Sequence, residues 1–136
     1  MKKIIWPGLL AGIVMLVLGM IVSYAFMIIP SVSADYQNTG LMRSWQDPLM
    51  MLFFLVYFIE GIIYAWVWNK TRVLFKGTSV RRGTMFGLSI WLVAMIPGMF
   101  ISYTSFPLSL LTILSWTVSG LINTIVAGLI FAKMNK

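Results

Sequence analysis

The chain has 136 residues, of which 60 % are hydrophobic and 10 % are charged. A soluble globular protein carries about 25 % charged residues, so this composition excludes an ordinary soluble domain and indicates a membrane protein. The chain contains no cysteine and no histidine, which excludes disulfides, thiol nucleophiles, the usual zinc sites and the ordinary neutral-pH general base. We therefore expect a protein that is not an enzyme and that has no cofactor and no metal site.

Four apolar segments are each long enough to cross a bilayer, which requires about 20 residues. In chain order they comprise residues 4–29, 48–68, 83–102 and 107–132. The first segment is longer than the 7–15 apolar residues of a signal peptide, so we interpret it as a spanning helix although residues 32–34 resemble a cleavage site. The third contains Pro97, which predicts a kink in that helix.

The segments between the spans differ in charge. Residues 30–47 are polar and predict a short interfacial helix or a loop folded over the bundle. Nine lysines and arginines lie at the termini and in the loop 69–82, whereas only Arg43 lies in the segment 30–47. By the positive-inside rule, both termini and the loop 69–82 are expected to be cytoplasmic. The net charge of +7 thus reflects topology in a lipid bilayer, and no nucleic-acid partner is expected. Five basic residues of this loop are candidates for contact with anionic lipid headgroups: Lys70, Arg72, Lys76, Arg81 and Arg82.

The two halves of the chain resemble each other. Gly8-x-x-x-Gly12 opens the first span, and Gly83-x-x-x-Gly87 opens the third. The second and fourth spans align without a gap, pairing residues 60–61 with residues 119–120. We interpret the pattern as two similar helical hairpins that form a parallel internal repeat within one all-α transmembrane domain. Small residues with this spacing predict close helix packing; the candidates are Gly8, Gly12, Gly61, Gly83, Gly87, Gly120 and Gly128.

Glu60 is the only acidic residue within the predicted spans. At 1.5 Å per residue it lies about 18 Å from one end of the second span and about 15 Å from the other, near the bilayer centre. An ionised carboxylate there costs several kcal/mol, so the group must be neutral, paired or in contact with water. Tyr57 and Tyr64 share its helix face, and the repeat equates Ser119 with Glu60 and Asn123 with Tyr64. These five residues form the candidate ligand or proton site.

Two functions remain open from the sequence. The protein either binds or conducts a proton, a cation or a small solute through Glu60, or it is a structural or accessory subunit. In the second case Glu60 hydrogen-bonds a neighbouring helix, and the small-residue faces dock a partner membrane protein or a second copy of the chain. An intramembrane enzyme is disfavoured because the acids are not paired within the spans.

Several short motifs carry a resemblance. They are Thr39-Gly40-Leu41 with Arg43, Glu60-Gly61, Arg82-Gly83 with Phe86-Gly87, and the separate residues Trp116, Gly120 and Gly128. In these motifs and in its layout the chain is similar to an uncharacterised class of small four-span prokaryotic membrane proteins. The resemblance implies four spans in the cytoplasmic (inner) membrane of a prokaryote, and it implies no activity.

Overall fold

The protein is described by a computed structural model that covers residues 2–135. Its helices are α1 (Lys2–Phe26), α2 (Pro30–Gln37), α3 (Met51–Thr71), α4 (Ser79–Ile90), α5 (Ile96–Ser105) and α6 (Leu110–Met134). Short 3₁₀ turns flank α3, and a π-helical turn (Trp91–Met95) joins α4 to α5. Four continuous helical segments are long and apolar enough to cross a membrane: Lys2–Phe26, Pro48–Leu74, Ser79–Ser105 and Leu110–Met134. The prediction of an all-α protein with four such segments is therefore confirmed, with helix bounds shifted by a few residues.

The four long segments pack in the order α3, α1, α6, α4. Helix α1 lies between α3 and α6, and α6 in turn packs along α4. Glycines allow close packing in the α1–α3 pair and in the α4–α6 pair, because their backbones touch the neighbouring helix. A Cβ atom on Gly8 would lie 2.7 Å from the Ile62 Cα atom, and a Cβ atom on Gly83 would lie 2.6 Å from the Gly128 carbonyl oxygen. Neither position has room for a larger residue without separating the helices.

The two glycine contacts are built alike. Gly61 packs on the Gly8 carbonyl in the α1–α3 pair, and Gly128 packs on the Gly83 carbonyl in the α4–α6 pair. This packing relates α3 to α6 at an offset of 67 residues (128 − 61) rather than the 59 of the gapless alignment. Gly120 therefore does not take the place of Gly61. It faces the Met95 side chain instead of a helix backbone.

The helices are packed unequally along their length. We call the end of the bundle with the chain termini the terminal end, and the opposite end, which carries α2, the α2 end. The buried residues of α3 are Gly61, Ala65 and Trp68, all in the half nearer the terminal end. Helix α5, which lies at the α2 end, has no buried residue. The bundle is thus closed at one end and splayed at the other.

Aromatic side chains close the terminal end. The ring of Trp68 stacks on Phe75 with centroids 6.1 Å apart and meets the edge of Phe86 at 5.2 Å. Phe86 in turn contacts Phe131, with centroids 6.2 Å apart. The Arg82 guanidinium lies 5.4 Å from the centre of the Trp68 ring, within the range of a cation–π interaction. These rings join α3, α4 and α6 beneath a basic surface.

The segment 30–47 contains the predicted short helix, which is α2, and α2 is fixed to the start of α6. The Asp35 carboxylate accepts hydrogen bonds from the Ser109 backbone N–H at 2.9 Å and from the Thr112 hydroxyl at 2.6 Å. Partial burial raises the pKa of Asp35, but these hydrogen bonds outweigh it and hold the pKa below its ordinary value of 3.8. One turn further along, the Trp116 indole N–H donates to the Tyr36 hydroxyl at 2.7 Å.

The π-helical turn (Trp91–Met95) interrupts the third span and ends two residues before Pro97, where the kink was predicted. Proline lacks a backbone N–H and clashes with the preceding turn. Prolines and π turns are both established causes of helix kinks. The Trp91 indole N–H, at the start of this turn, donates to the Thr117 carbonyl of α6 at 2.9 Å. The turn thereby presents Ala94 and Met95 to the interior of the splayed end.

Candidate functional site

A cavity of about 890 Å³ occupies the splayed half of the bundle. Its wall is formed by α1, α3, α6, the π turn and the start of α5, while α2 and the segment after it contribute at the α2 end. Seven methionines and eight aromatic residues line it, so its surface is mainly apolar and adaptable, since methionine side chains are flexible and polarizable. The volume lies within the range of about 300–1,000 Å³ that is usual for small-molecule sites.

The cavity brings together the five residues that the sequence singled out. Tyr57, Glu60 and Tyr64 line it from α3, and Ser119 and Asn123 line it from α6. All five are partly buried. The glycine contacts do not match Ser119 to Glu60, as the sequence alignment did. The five residues still share this cavity because α3 and α6 both line it.

Charge in the cavity is limited to two side chains of the described chain. Glu60 lies in the wall, and Arg43 lies nearer the α2 end. An Arg43 Nη1–H donates to the Asp47 carboxylate at 2.7 Å. Among the residues that the structure describes, none hydrogen-bonds to or forms an ion pair with Glu60. The acid therefore faces the cavity without a protein partner, while the one base there is already neutralised.

Three helices meet at a small polar junction beside Glu60. The Tyr57 and Asn123 side chains pack closely on Gly19 of α1: a Cβ atom there would lie 2.9 Å from the Tyr57 hydroxyl and 3.4 Å from the Asn123 amide nitrogen. The Asn123 amide oxygen is buried and has no hydrogen-bond partner within residues 2–135. A buried acceptor without a partner costs about 1–3 kcal/mol. The junction therefore contains an acceptor that the described residues leave unsatisfied.

The cavity reaches the outer surface of the bundle between α3 and the π turn. Phe53 and Val56 of α3 line the cavity and are also 41 % and 39 % exposed. Ala94, on the opposite wall, is exposed as well. The side chains of these three residues are apolar.

Other residues of the cavity wall were not identified from the sequence. Gly19 provides space at the junction, Met95 fills the wall opposite Gly120, and Trp116 is oriented by Tyr36. The sequence singled out Trp116 only as one of the residues that carry the resemblance, and nothing marked Gly19. The five basic residues 70, 72, 76, 81 and 82 lie at the terminal end, away from the cavity, with Lys70, Lys76 and Arg81 exposed.

No metal cluster of three or more acidic, histidine or cysteine side chains occurs in residues 2–135. Comparisons with protein-family models, with curated proteins and with solved structures find no match to the chain. The class of protein is thus defined by its four apolar helices of spanning length.

Proposed function

We propose that the protein is a non-enzymatic, multi-pass membrane protein that binds a small solute in the cavity, with Glu60 as its charged contact. The observation that carries the proposal is that the single acid of the spans lies in the wall of a large apolar cavity and has no partner among the described residues. Because an unpaired carboxylate in hydrocarbon is costly, a bound proton, cation or polar solute group relieves that cost.

The proposed placement in the membrane puts the terminal end in the cytoplasm and the α2 end outside, in the inner membrane of a prokaryote. The charge bias supports it, with nine basic residues toward one side and one toward the other. In this placement Lys70 and Arg81 contact anionic headgroups. The matching glycine contacts of the two helix pairs support a parallel internal repeat, with its register at 67 residues.

The packing favours binding over free conduction. A conduction path through the bundle would have to pass the aromatic cluster around Trp68, which is completely buried. The packing also gives less support to an accessory subunit. Gly61, Gly83 and Gly128 belong to the small-residue faces that would dock a partner, and they are already used within the chain.

The proposal is tested on purified protein in lipid nanodiscs and in proteoliposomes. Wild type and Glu60→Gln are compared for binding of an aromatic amphiphile and for proton and potassium flux. Tyr64→Phe is compared with Tyr103→Phe, which lies outside the cavity and is the matched control. We expect solute binding that Glu60→Gln weakens and Tyr103→Phe leaves unchanged. Wild type and Glu60→Gln behaving alike in every assay would overturn the proposal.

A further inference from the structure

We propose that the ligand of the cavity is a protonated lipophilic amine, taken from the outer leaflet through the gap between α3 and the π turn. The inference rests on the proposed function and specifies its ligand. It follows from three features of the cavity: its charge, its unpaired acceptors and its apolar wall.

The charge of the cavity selects a cation. Glu60 is its one unpaired charged side chain in the described chain, because Arg43 is bonded to Asp47 at 2.7 Å. An anionic ligand would bring a second negative charge to Glu60 in a medium of low dielectric constant, which is strongly unfavourable. A neutral ligand would at most hydrogen-bond the carboxylate and would not balance its charge. A monovalent cation satisfies the site.

The hydrogen-bonding groups select an amine rather than a quaternary ammonium ion. Two hydrogen-bond acceptors of the wall have no partner among the described residues: the Glu60 carboxylate and the buried Asn123 amide oxygen. A protonated primary amine has three N–H donors and is charged at neutral pH, as a lysine side chain is. A quaternary ammonium ion carries the same charge but has no donor for Asn123.

The apolar wall selects a lipophilic body. Tyr57 and Trp116 both line the cavity, and aromatic faces attract an ammonium group as well as apolar carbon. A hydrated inorganic cation would leave most of the 890 Å³ in contact with apolar side chains. The exposed rim at Phe53, Val56 and Ala94 opens sideways, toward the hydrocarbon where a lipophilic amine is concentrated.

Three probes that share a naphthyl group and differ in their polar group test the charge and the N–H donors separately. They are 2-(1-naphthyl)ethylamine, its N,N,N-trimethyl derivative and 2-(1-naphthyl)ethanol. Affinity is measured at pH 7 in nanodiscs by titration calorimetry, with protein-free nanodiscs as the control for partition into lipid. For wild type we expect the amine to bind at least tenfold more tightly than the alcohol, and several-fold more tightly than the trimethyl derivative.

Two variants assign the effect to the named groups. Glu60→Gln is expected to reduce amine affinity to that of the alcohol while changing alcohol affinity less than twofold. Asn123→Leu, which removes the amide, is expected to abolish the preference for the amine over the trimethyl derivative. Retained alcohol binding in both variants shows that they are folded.

The outcomes separate this inference from the proposed function. If the alcohol binds wild type as tightly as the amine, the amine inference is overturned while solute binding stands. If the trimethyl derivative binds as tightly as the amine, the role of Asn123 is overturned and the ligand is an organic cation for which N–H donors are not required. If no probe binds wild type above protein-free nanodiscs, both the inference and the solute-binding function fail.

Discussion

The two ends of this bundle are built from the same helices but differ in packing. At the terminal end, α3 places Ala65 and Trp68 completely out of solvent. At the α2 end, α5 has no buried residue, and a cavity of about 890 Å³ separates the helices. Since α3 and α5 are both predominantly apolar, hydrophobicity does not decide which end is closed.

Residue size decides it. Glycine at positions 8, 61, 83 and 128 lets backbones approach at the terminal end, and Trp68 with its neighbouring rings fills what remains. In a membrane, lipid competes with apolar side chains, so close packing of this kind supplies much of the attraction between helices. The α2 end has large side chains on α3 and no glycine pair. It is held instead by hydrogen bonds that Asp35 and Tyr36 accept from α6 and the residue before it.

The largest expected effect comes from removing the ring at the centre of the closed end. Trp68→Ala deletes a completely buried side chain and is expected to lower the free energy of unfolding by about 3–5 kcal/mol. Trp66→Ala, two residues away on a side chain that is 51 % exposed, is the matched control and should cost far less. Unfolding in mixed micelles titrated with sodium dodecyl sulfate measures both. Equal losses in the two variants would show that the aromatic cluster does not close the bundle.

A smaller effect is expected from one added methyl group at a helix contact. Gly83→Ala places a Cβ atom 2.6 Å from the Gly128 carbonyl oxygen, so α4 and α6 must separate, at a cost of about 1–3 kcal/mol. Gly98→Ala is the control, because a Cβ atom there has no neighbour within 4 Å. The same detergent titration should find Gly98→Ala neutral or slightly stabilising, since alanine favours helix. A loss at Gly98 equal to that at Gly83 would remove the distinction between the two ends.

The α2 end is expected to respond to acid. Because the pKa of Asp35 is held below 3.8 in the folded protein, the stabilisation is fully present above that value and is lost as pH falls through the lower, folded pKa. Asp35→Asn should cost about 1 kcal/mol at pH 7, the usual contribution of such hydrogen bonds. Its melting temperature should also fall less than that of wild type between pH 7 and pH 3.

Asp47 titrates in the same direction, because hydrogen bonds from the Leu49 backbone and Arg43 lower its pKa. Some acid sensitivity should therefore remain in Asp35→Asn. If the melting temperature of Asp35→Asn depended on pH as strongly as that of wild type, α2 would not be fixed to α6 through this carboxylate.

Much of the fold was predictable from the sequence because it depends on composition. Helix number and length follow from the apolar runs, and the placement of Glu60 beside Tyr57 and Tyr64 follows from helical periodicity. The pairing of glycines at the helix contacts did not follow. Gly61 was matched to Gly120 by residue similarity, whereas the contacts match Gly61 to Gly128, and only a three-dimensional arrangement distinguishes one glycine of a helix from another.

The cavity itself was not predictable for a related reason. Its existence depends on where helices fail to meet, and its wall depends on a π turn at Trp91–Met95 that no local motif specifies. Pro97 indicated an irregularity in this helix but not its form. Nothing in the sequence marked Gly19, because its role depends on its contacts with the Tyr57 side chain of α3 and the Asn123 side chain of α6.

The smallest expected effect tests that junction. Gly19→Ala would place a Cβ atom 2.9 Å from the Tyr57 hydroxyl, which must shift by a few tenths of an ångström. We expect Gly19→Ala to bind 2-(1-naphthyl)ethylamine two- to fivefold more weakly than wild type does. Its free energy of unfolding should change by less than about 1 kcal/mol. An affinity unchanged in a folded variant would show that the junction does not contact the ligand.

The central claim, that an open cavity lies in the half of the bundle toward the α2 end while packed side chains close the terminal end, is tested most directly by thiol labelling. The natural chain has no cysteine, so Ser119→Cys and Ser115→Cys each introduce one thiol, one helical turn apart on α6. Ser119 lines the cavity, whereas Ser115 is 3 % exposed and does not. A membrane-impermeant maleimide is added to oriented vesicles from either side.

The account predicts that Ser119→Cys is labelled from the α2 side alone, that 2-(1-naphthyl)ethylamine slows the reaction, and that Ser115→Cys stays unlabelled. Labelling of Ser119→Cys only from the side of the termini, or equal labelling at the two positions, would contradict it.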